Sequence, residues 1–246
     1  MESDDYKAVL RLVDSRLSLP LVYAGCRDVL SRRMNANNMY ICILEKNGLR
    51  FPYFVDERLP ESHWDIYPIE GLTGYVVTSG KRYWMSVDPP PPPEFAPKGP
   101  MARDWIGIPL LGRDGKPLGV IAVQTYKDGE SYSEEDVAFL EFVAAAVSLS
   151  IQLAGQDREI AIRRIATLME ETIDIDALYP MIHEAVKVII PAARDNFIIA
   201  RVDAAAGIFR PEYWRDEKDD YSAMEWPLRL GFSGYIYNVT GSCLLY

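Results

Sequence analysis

The chain contains few of the residues that carry enzyme chemistry. Its 246 residues include only three cysteines and two histidines. Cys26, Cys42 and Cys243 are far apart and form no C-x-x-C pair, which excludes a disulfide framework and indicates a reducing compartment. No metal-ligand spacing, phosphate-binding loop or nucleophile motif accompanies the two histidines, His63 and His183. The sequence therefore predicts a protein that is not an enzyme and binds no metal.

Basic charge is also scarce. Lys and Arg number 26 against 36 Asp and Glu, a net charge of −10, which argues against a nucleic-acid partner. The acidic start "MESDDYK" is unlike a secretory signal peptide. The most apolar run, Val137 to Ala154, contains Glu141 and Gln152 and is shorter than the roughly 20 residues that cross a bilayer. We expect a cytoplasmic protein without a membrane span.

The sequence contains an internal repeat. "NNMYICILEKNGLRFPYFVDE" from residue 37 matches "DNFIIARVDAAAGIFRPEYWRDE" from residue 195, and "GLTGYVV" at Gly71 matches "GFSGYIY" at Gly231. Gly48 aligns with Gly207 and Pro52 with Pro211, so the register changes little over the whole match. A register held over such a length indicates two copies of one domain.

The first copy alternates helix-like and strand-like segments. A segment with apolar residues at helical spacing predicts a first helix. It is followed by the strand "NMYICILE", the turn Asn47–Gly48 and the return strand "LRFPYFV". Pro52 predicts that this return strand lies at a sheet edge or a bulge. "GLTGYVVTSG" predicts a short helix that Thr73 caps at its start and Gly80 ends.

The remainder of the first copy completes a sheet. The proline-rich segment from Ser86 to Asp104 is a stiff loop, and a hairpin with its turn at Asp114–Gly115 follows. Ser133 then begins a long helix with an S-x-x-D start signal. The order predicts an α+β fold: an antiparallel sheet flanked by helices, with a long helix that leads to a second, incomplete copy.

Three segments in this order resemble the GAF domain family: "GLTGYVVTSG", "IGIPLLGRDGKPLGVIAVQ" and "YSEEDVAFLEFVAAAVSLSIQ". The resemblance covers residues 17–155 completely and residues 172–246 as the first half of a second GAF-like domain. Residues 1–16 are then an N-terminal helical segment and 156–171 a linker helix. The chain looks like a fragment of a longer signalling protein.

The resemblance implies a sensory role. GAF domains bind a small molecule between the sheet and its loops, dimerise through long helices and signal to an output domain such as a histidine kinase or a diguanylate cyclase. The alternative is a ligand-free GAF scaffold for dimerisation and relay. A GAF-type methionine sulfoxide reductase is disfavoured because the loop from Ser86 to Asp104 contains no cysteine. The ligand or cofactor remains open, since neither a Cys-His pair for a bilin nor the N-K-x-F-D-type signature of cyclic-nucleotide binders is present.

Candidate ligand-binding residues come from the loops, the glycine motif and the aromatic residues around them. The loop histidine is a cofactor ligand in haem- or bilin-binding relatives, and the tryptophans suit the walls of a small-molecule cavity. Turn formation and core packing also explain most of these residues. The candidates are His63, Trp64, Gly71, Thr73, Gly74, Trp84 and Trp105.

The long helix predicts a partner. One apolar stripe, which can cover the sheet, contains Leu140, Val143 or Ala144, Val147 and Ile151. A second stripe contains Phe139, Phe142, Ala146, Leu149 and Leu153. This second stripe needs a cover, and a parallel homodimer through helix 133–170 supplies it. The alternative cover is the second copy within the same chain.

Overall fold

The structure is a computed structural model that describes residues 2–15, 17–59, 66–171, 175–190, 193, 196–216 and 224–228. The chain divides into two compact units, Met1–Ala154 and Gly155–Tyr246. The second occurrence of the glycine motif, which begins at Gly231, lies outside the described residues.

Unit 1 is built on one antiparallel sheet of five strands. The strand order is β2-β1-β5-β4-β3, and every recorded strand pair is antiparallel. This arrangement confirms the α+β class. The elements are α1 (Glu2–Asp14), α2 (Leu19–Leu30), β1 (Asn38–Glu45), β2 (Gly48–Val55), α3 (Gly71–Ser79), β3 (Tyr83–Trp84), β4 (Asp104–Leu111) and β5 (Pro117–Thr125), with a short 3₁₀ turn at Pro93–Phe95. They are followed by α4 (Glu134–Glu171), whose residues from Gly155 onward belong to unit 2.

Local sequence signals account for the sheet's turns and edges. Strand β2 is an edge strand, and its register against β1 shifts between Ile41 and Ile43, opposite Pro52. Both expectations for this proline are confirmed, because a residue without an N–H fits an edge or a bulge. At the β4–β5 turn, Asp114 Oδ1 accepts a hydrogen bond from Lys116 N at 3.1 Å and Gly115 has a φ of 76°.

One face of the sheet is covered by α1, α2 and α4. Helix α4 begins as predicted: Ser133 Oγ accepts from Asp136 N at 3.2 Å, and Asp136 Oδ2 accepts from Ser133 N at 2.8 Å. Its buried residues pack on β1, β4 and β5 and include Val137, Leu140, Val143 and Val147. By length and composition, the helix over residues 134–167 could cross a bilayer, since an 18-residue stretch of it has a mean hydropathy of 1.9, but half of that stretch is buried. The apolar stretch is therefore explained as a core helix of the domain.

Helix α1 covers part of the second stripe of α4. The Tyr6 ring meets Phe139 at 5.0 Å and Phe142 at 4.7 Å between ring centroids, both edge-on. The sequence predicted a second chain, or alternatively the second copy within this chain, as the cover for this stripe, whereas the N-terminal helix covers its first turns. Leu149 and Leu153 remain exposed, at 42% and 38%.

Unit 2 contains a smaller sheet. Helix α5 (Ile175–Ile189) precedes β6 (Asn196–Asp203), β7 (Ile208–Asp216) and β8 (Trp226–Pro227), in the order β6-β7-β8. His183 on α5 is 4% exposed; its Nε2 lies 2.7 Å from the Ala193 carbonyl oxygen and its Nδ1 lies 3.0 Å from the Tyr213 hydroxyl. This histidine is therefore a buried packing residue of unit 2.

Candidate functional site

The face of the sheet opposite α4 contains a cavity of about 460 Å³. Its walls come from β1, β2, β4 and β5, from the start of α3 and from residues 97–102 of the proline-rich loop. The polar groups are few and the aromatic rings many, which is typical of small-molecule sites. The aromatic lining consists of Tyr40, Phe51, Phe54, Tyr67, Trp105 and Tyr126.

A hydrogen-bonded set joins three elements at the cavity wall. Trp105 Nε1 on β4 donates to the Tyr40 hydroxyl on β1 at 3.1 Å, and that hydroxyl lies 2.7 Å from Thr73 Oγ1 on α3. Burial raises the pKa of Tyr40, so its phenol stays neutral. The Trp105 ring lies against the backbone of Gly107, where a Cβ would come within 2.1 Å of it. The set holds α3 on the sheet and defines one wall.

A second polar network surrounds Asp56 at the end of β2. Its Oδ2 accepts from Gln124 Nε2 at 2.5 Å and from the Tyr126 hydroxyl at 3.0 Å. Its Oδ1 accepts from the backbone N–H groups of Arg58 and Leu59 at 2.8 and 3.0 Å. Burial, and then the bond to the Asp56 carboxylate, raises the pKa of Tyr126, which keeps that phenol protonated as a donor.

The start of α3 explains the glycines of the motif. Gly71 lines the cavity with a left-handed φ of 64°, a conformation that disfavours any side chain. At Gly74 a Cβ would lie 2.9 Å from the Ile69 carbonyl carbon, so the helix needs glycine there to pack closely. Glu70 is the N-cap residue and makes no side-chain cap bond. Thr73 therefore does not cap the helix as expected, because its hydroxyl bonds Tyr40 instead; Gly80 ends the helix as expected, with a φ of 64°.

The charges among the described lining residues lie at the mouth. Lys98 Nζ approaches Glu70 Oε2 to 3.5 Å, and both side chains are largely exposed. The loop that carries Lys98 is anchored where the Phe95 ring packs on Tyr75 at 5.8 Å between centroids. The interior is therefore aromatic and hydrogen-bonding, and the ion pair stands in solvent.

A family model described as GAF domain matches residues 17–152, more than half of the chain. The chain belongs to the GAF domain family. GAF domains are found in sensor and signalling proteins, and the recognised domain coincides with the sheet and cavity of unit 1. The sequence matches no curated protein.

One solved structure shares the fold at a TM-score above 0.5, and others are similar at lower scores. The GAF domain of an Acinetobacter phosphoenolpyruvate-protein phosphotransferase superposes with a TM-score of 0.52 at 20% identity, covering 63% of this chain and 95% of that one. A methyl-accepting chemotaxis protein fragment has a TM-score of 0.49 at 18% identity, covering 58% and 94%. A type II free methionine-R-sulfoxide reductase from Thermoplasma acidophilum has a TM-score of 0.44 at 21% identity, covering 57% and 96%. At 20% identity the likeness to the Acinetobacter domain is one of fold.

The structure brings together three of the residues that the sequence proposed as ligand contacts. Gly71, Thr73 and Trp105 line the cavity of the GAF domain. Gly74 supports α3 from outside the lining. His63 and Trp64 lie outside the described residues.

Trp84, the remaining candidate ligand contact, does not line this cavity. Its neighbour Tyr83 packs on the cavity side of the sheet, and successive strand residues point to opposite faces. Trp84 therefore lies in the core beneath α4. Its Nε1 donates to Asp104 Oδ2 at 3.1 Å, and Asp104, fully buried, also accepts from the backbone N–H groups of Ser86, Trp105 and Tyr132. Trp84 and Asp104 connect the loops of the domain and do not contact the cavity.

Sequence reasoning missed most of the cavity's contacts. Phe51 and Phe54 both line it, although three positions apart in a regular strand point to opposite faces. The bulge opposite Cys42 restores them to one face, and Pro52 was the signal for that bulge. Gln124 lies near the end of β5 and Tyr126 directly follows the strand, and nothing local in the sequence places them beside Asp56.

The described cysteines do not line the cavity. Cys26 on α2 lies in the core on the α4 side, and Cys42 on β1 lies in the core beneath the cavity. Burial raises the pKa of each thiol to about 12, far from a reactive thiolate. Within the described part of the chain, no three His, Cys, Asp or Glu side chains are close enough to share a metal.

Proposed function

We propose that residues 17–155 form the ligand-sensing GAF domain of a cytoplasmic signal-transduction protein. The observation that carries the proposal is the cavity of about 460 Å³ between the sheet, α3 and the loop 97–102. A ligand bound there would contact both α3 and the loop, since both contribute walls to the cavity. The signal then passes along α4 to an output domain, such as a histidine kinase or a diguanylate cyclase.

The cavity's construction supports ligand binding over simple loose packing. Its size lies within the range of about 300–1,000 Å³ typical of small-molecule sites. Tyr40, Thr73 and Trp105 hold its inner wall by side-chain hydrogen bonds, so the shape is organised before anything binds. If the cavity stayed empty, the large rings that line it would lose many dispersion contacts.

We further propose that residues 172–246 contain the first half of a second GAF domain, joined by the linker helix 156–171. Two structural parallels support this. The β6–β7 register shifts between Ile199 and Ala200, opposite Pro211, as β1–β2 shifts near Pro52. In both units an aromatic-Pro segment then pairs with the start of the second strand: Tyr67 with Leu49, and Trp226–Pro227 with β7.

The relay proposal includes a homodimer through helix 133–170. Leu149, Leu153 and Ile160 are 42%, 38% and 64% exposed along α4. Their spacing of four and seven residues places them along one side of the helix. Paired with the same residues of a second copy, they would bury surface that this chain leaves in water. Sedimentation at several concentrations tests this, and a monomer mass at all of them would contradict it.

We propose no catalytic role for this chain. The burial and raised pKa of Cys26 and Cys42 support this view, because a GAF-type methionine sulfoxide reductase needs ionisable thiols at its pocket. Reduction of free methionine sulfoxide by the purified chain with a thiol reductant would contradict it.

The sensing proposal is tested with the purified chain and a cavity-blocking variant. Native mass spectrometry followed by denaturation should release a small molecule from the natural chain. Ala102→Phe fills the cavity and should abolish retention, since Ala102 is a buried lining residue. Ala145→Phe makes the same change on the exposed face of α4 and should retain the molecule. Release of the same molecule from both variants would contradict the assignment of the cavity.

The alternative function is a scaffold that dimerises and relays without a ligand, and the exposed apolar residues of α4 favour it. A dimeric chain that releases nothing, and whose melting temperature does not respond to any metabolite, would support the scaffold over the sensor.

A further inference from the structure

We infer that the cavity selects an uncharged, planar aromatic molecule that carries an N–H or O–H hydrogen-bond donor, the chemistry of an indole. This inference rests on the proposed sensing function and adds the ligand class. Three observations carry it: the orientation of the Gln124 carboxamide, the location of the charges and the arrangement of the rings.

Gln124 lines the cavity, and the bonds of its amide nitrogen fix which carboxamide atom is left as an acceptor. The side chain is 9% exposed and lines the cavity near the end of β5. Its Nε2 donates to both Asp56 Oδ2 and the Tyr126 hydroxyl. The Tyr126 proton is already directed to Asp56, so the hydroxyl can only accept from Gln124, and the amide cannot be flipped.

The Gln124 Oε1 atom is therefore left for a ligand. No residue in the described part of the chain donates a hydrogen bond to it. A ligand that fills the cavity displaces the water that this oxygen would otherwise contact. Leaving a buried acceptor unpaired costs about 1–3 kcal/mol, so a ligand with an N–H or O–H donor is favoured over one without.

The interior offers no free counter-charge to a ligand. Glu70 and Lys98 are the charged residues of the described lining, and they pair with each other at the exposed mouth. The Asp56 carboxylate, behind the wall, already accepts four hydrogen bonds. Desolvation costs a charged ligand several kcal/mol. Contact with ring faces repays a cation only about 2 kcal/mol, and it repays an anion nothing. A neutral ligand is therefore preferred.

The rings favour a flat ligand. Tyr40 and Phe54 are nearly parallel, with an interplanar angle of 20° and centroids 5.9 Å apart, and Phe51 meets both edge-on. Trp105 supplies a further indole face, held in place by its bond to Tyr40. Planar aromatic molecules can make stacked and edge-to-face contacts with such walls, which add to the energy of area burial.

The test measures four probes on the full chain by calorimetry, after removal of any co-purified molecule. Indole has the ring and the donor, and 1-methylindole has the ring without the donor. Indole-3-carboxylate adds a negative charge, and tryptamine adds a positive one. Indole should bind at one site per chain, about tenfold tighter than 1-methylindole, because one hydrogen bond to a buried acceptor is lost. Both charged probes should bind more weakly than indole.

Gln124→Met removes the acceptor while keeping an unbranched side chain of similar length. The preference for indole over 1-methylindole should fall to near unity in this variant. Gln152→Met is the matched control on α4, where the glutamine Oε1 accepts from Arg113 N, and it should keep the tenfold preference. If Gln124→Met does not fold, the probe ratio in the natural chain decides alone.

Equal binding of indole and 1-methylindole, tighter binding of either charged probe, or no binding of indole at millimolar concentration would overturn the inference. Loss of binding in Ala102→Phe locates the probes in the cavity, and binding that survives this change would also overturn it. Failure here is distinct from failure of the sensing function. A chain that releases a charged or aliphatic molecule, lost in Ala102→Phe, still senses a ligand but not of this class.

Discussion

The two hairpins of this chain are alike in backbone and unlike in burial. Strands β1–β2 and β6–β7 both carry a proline at a register shift. Yet β1 is buried along its first five residues, whereas β6 alternates between exposed and half-buried positions. Tyr40 is 7% exposed, and Ile198, its counterpart in the repeat, is 44% exposed.

The difference comes from what pairs with the first strand. In unit 1, β5 pairs with the free edge of β1 and α3 covers the face that bears Tyr40. In the described part of unit 2, β6 is an edge strand of a three-stranded sheet. A repeated local pattern therefore specifies the hairpin, while the elements that pack on it create the cavity. The second hairpin also lacks the hydrogen-bonding hydroxyl of the cavity wall, because Ile198 stands where the first has Tyr40.

The largest expected effect is a loss of folding stability in unit 1 alone. Asp104→Asn should lower the stability of unit 1 by about 3 kcal/mol, because the amide places a donor against N–H groups that the buried carboxylate now accepts from. Hydrogen exchange read by mass spectrometry separates peptides of the two units. Peptides from β6 and β7 should keep their protection.

The control for this change is Asp114→Asn, a carboxylate in the exposed β4–β5 turn, where we expect protection in both units to be unchanged. Equal loss of protection in both units of Asp104→Asn would contradict the expectation that the change destabilises unit 1 alone.

A smaller effect is expected at the residue that most distinguishes the two hairpins. Tyr40→Phe keeps the ring and removes the hydroxyl that Trp105 Nε1 and Thr73 contact. The unpaired buried indole N–H should cost unit 1 about 2 kcal/mol, measured by urea unfolding. Tyr67→Phe, at the half-exposed mouth, is the control and should be near neutral. No change in Tyr40→Phe would show that the bond does not hold α3 on the sheet.

The glycine at the start of α3 should have an effect of about 1 kcal/mol. Gly71→Ala places a side chain at a φ of 64° and within 3.4 Å of the Lys98 side chain. Thermal unfolding should show the loss, and ligand retention should fall with it because Gly71 lines the cavity. Gly115→Ala is a control with positive φ but open space around it. A loss of retention in Gly115→Ala equal to that in Gly71→Ala would remove any specific role for Gly71 in the cavity.

The smallest expected effect is on how the stability of unit 1 depends on pH through its buried thiols. Burial raises the pKa of Cys26 and Cys42 from 9.0 to about 12, so the unfolded thiols ionise first as pH rises. The stability that each contributes is complete below pH 9 and is lost between pH 9 and 12, by about 1 kcal/mol at pH 10. In Cys42→Ala the decline of stability between pH 8 and pH 10 should be shallower.

The same thiols should react slowly with a disulfide reagent at pH 8 while the chain is folded, and quickly in urea. Fast reaction of both in the folded chain would contradict their burial.

Much of the fold follows from local sequence. The order of the glycine motif, the Asp114–Gly115 hairpin and the Ser133 start signal predicted the family and the α+β class. Pro52 predicted an edge or a bulge, and the structure has both. These signals are local because turn geometry, missing N–H groups and capping bonds involve residues only a few positions apart.

The cavity was predicted only in part. Gly71, Thr73 and Trp105 line it, while Trp84 points to the other core because adjacent strand residues face opposite sides. Which face a side chain of a two-residue strand points to depends on how that strand pairs with its neighbour. The two residues of β3 are positioned by their pairing with β4. Tyr6 likewise covers Phe139 and Phe142 through a contact that no local pattern reports.

The sequence by itself determined the family, the hairpins, the helix limits and the repeat. Tertiary structure alone decided which face Trp84 and Phe51 occupy, and that Gln124 meets Asp56, 68 positions away in the chain. It also decided that the first hairpin is covered by α3 and bears a cavity. The physical reason is that backbone conformation is set by neighbours in sequence, whereas burial and hydrogen-bond orientation are set by the elements that pack across the sheet.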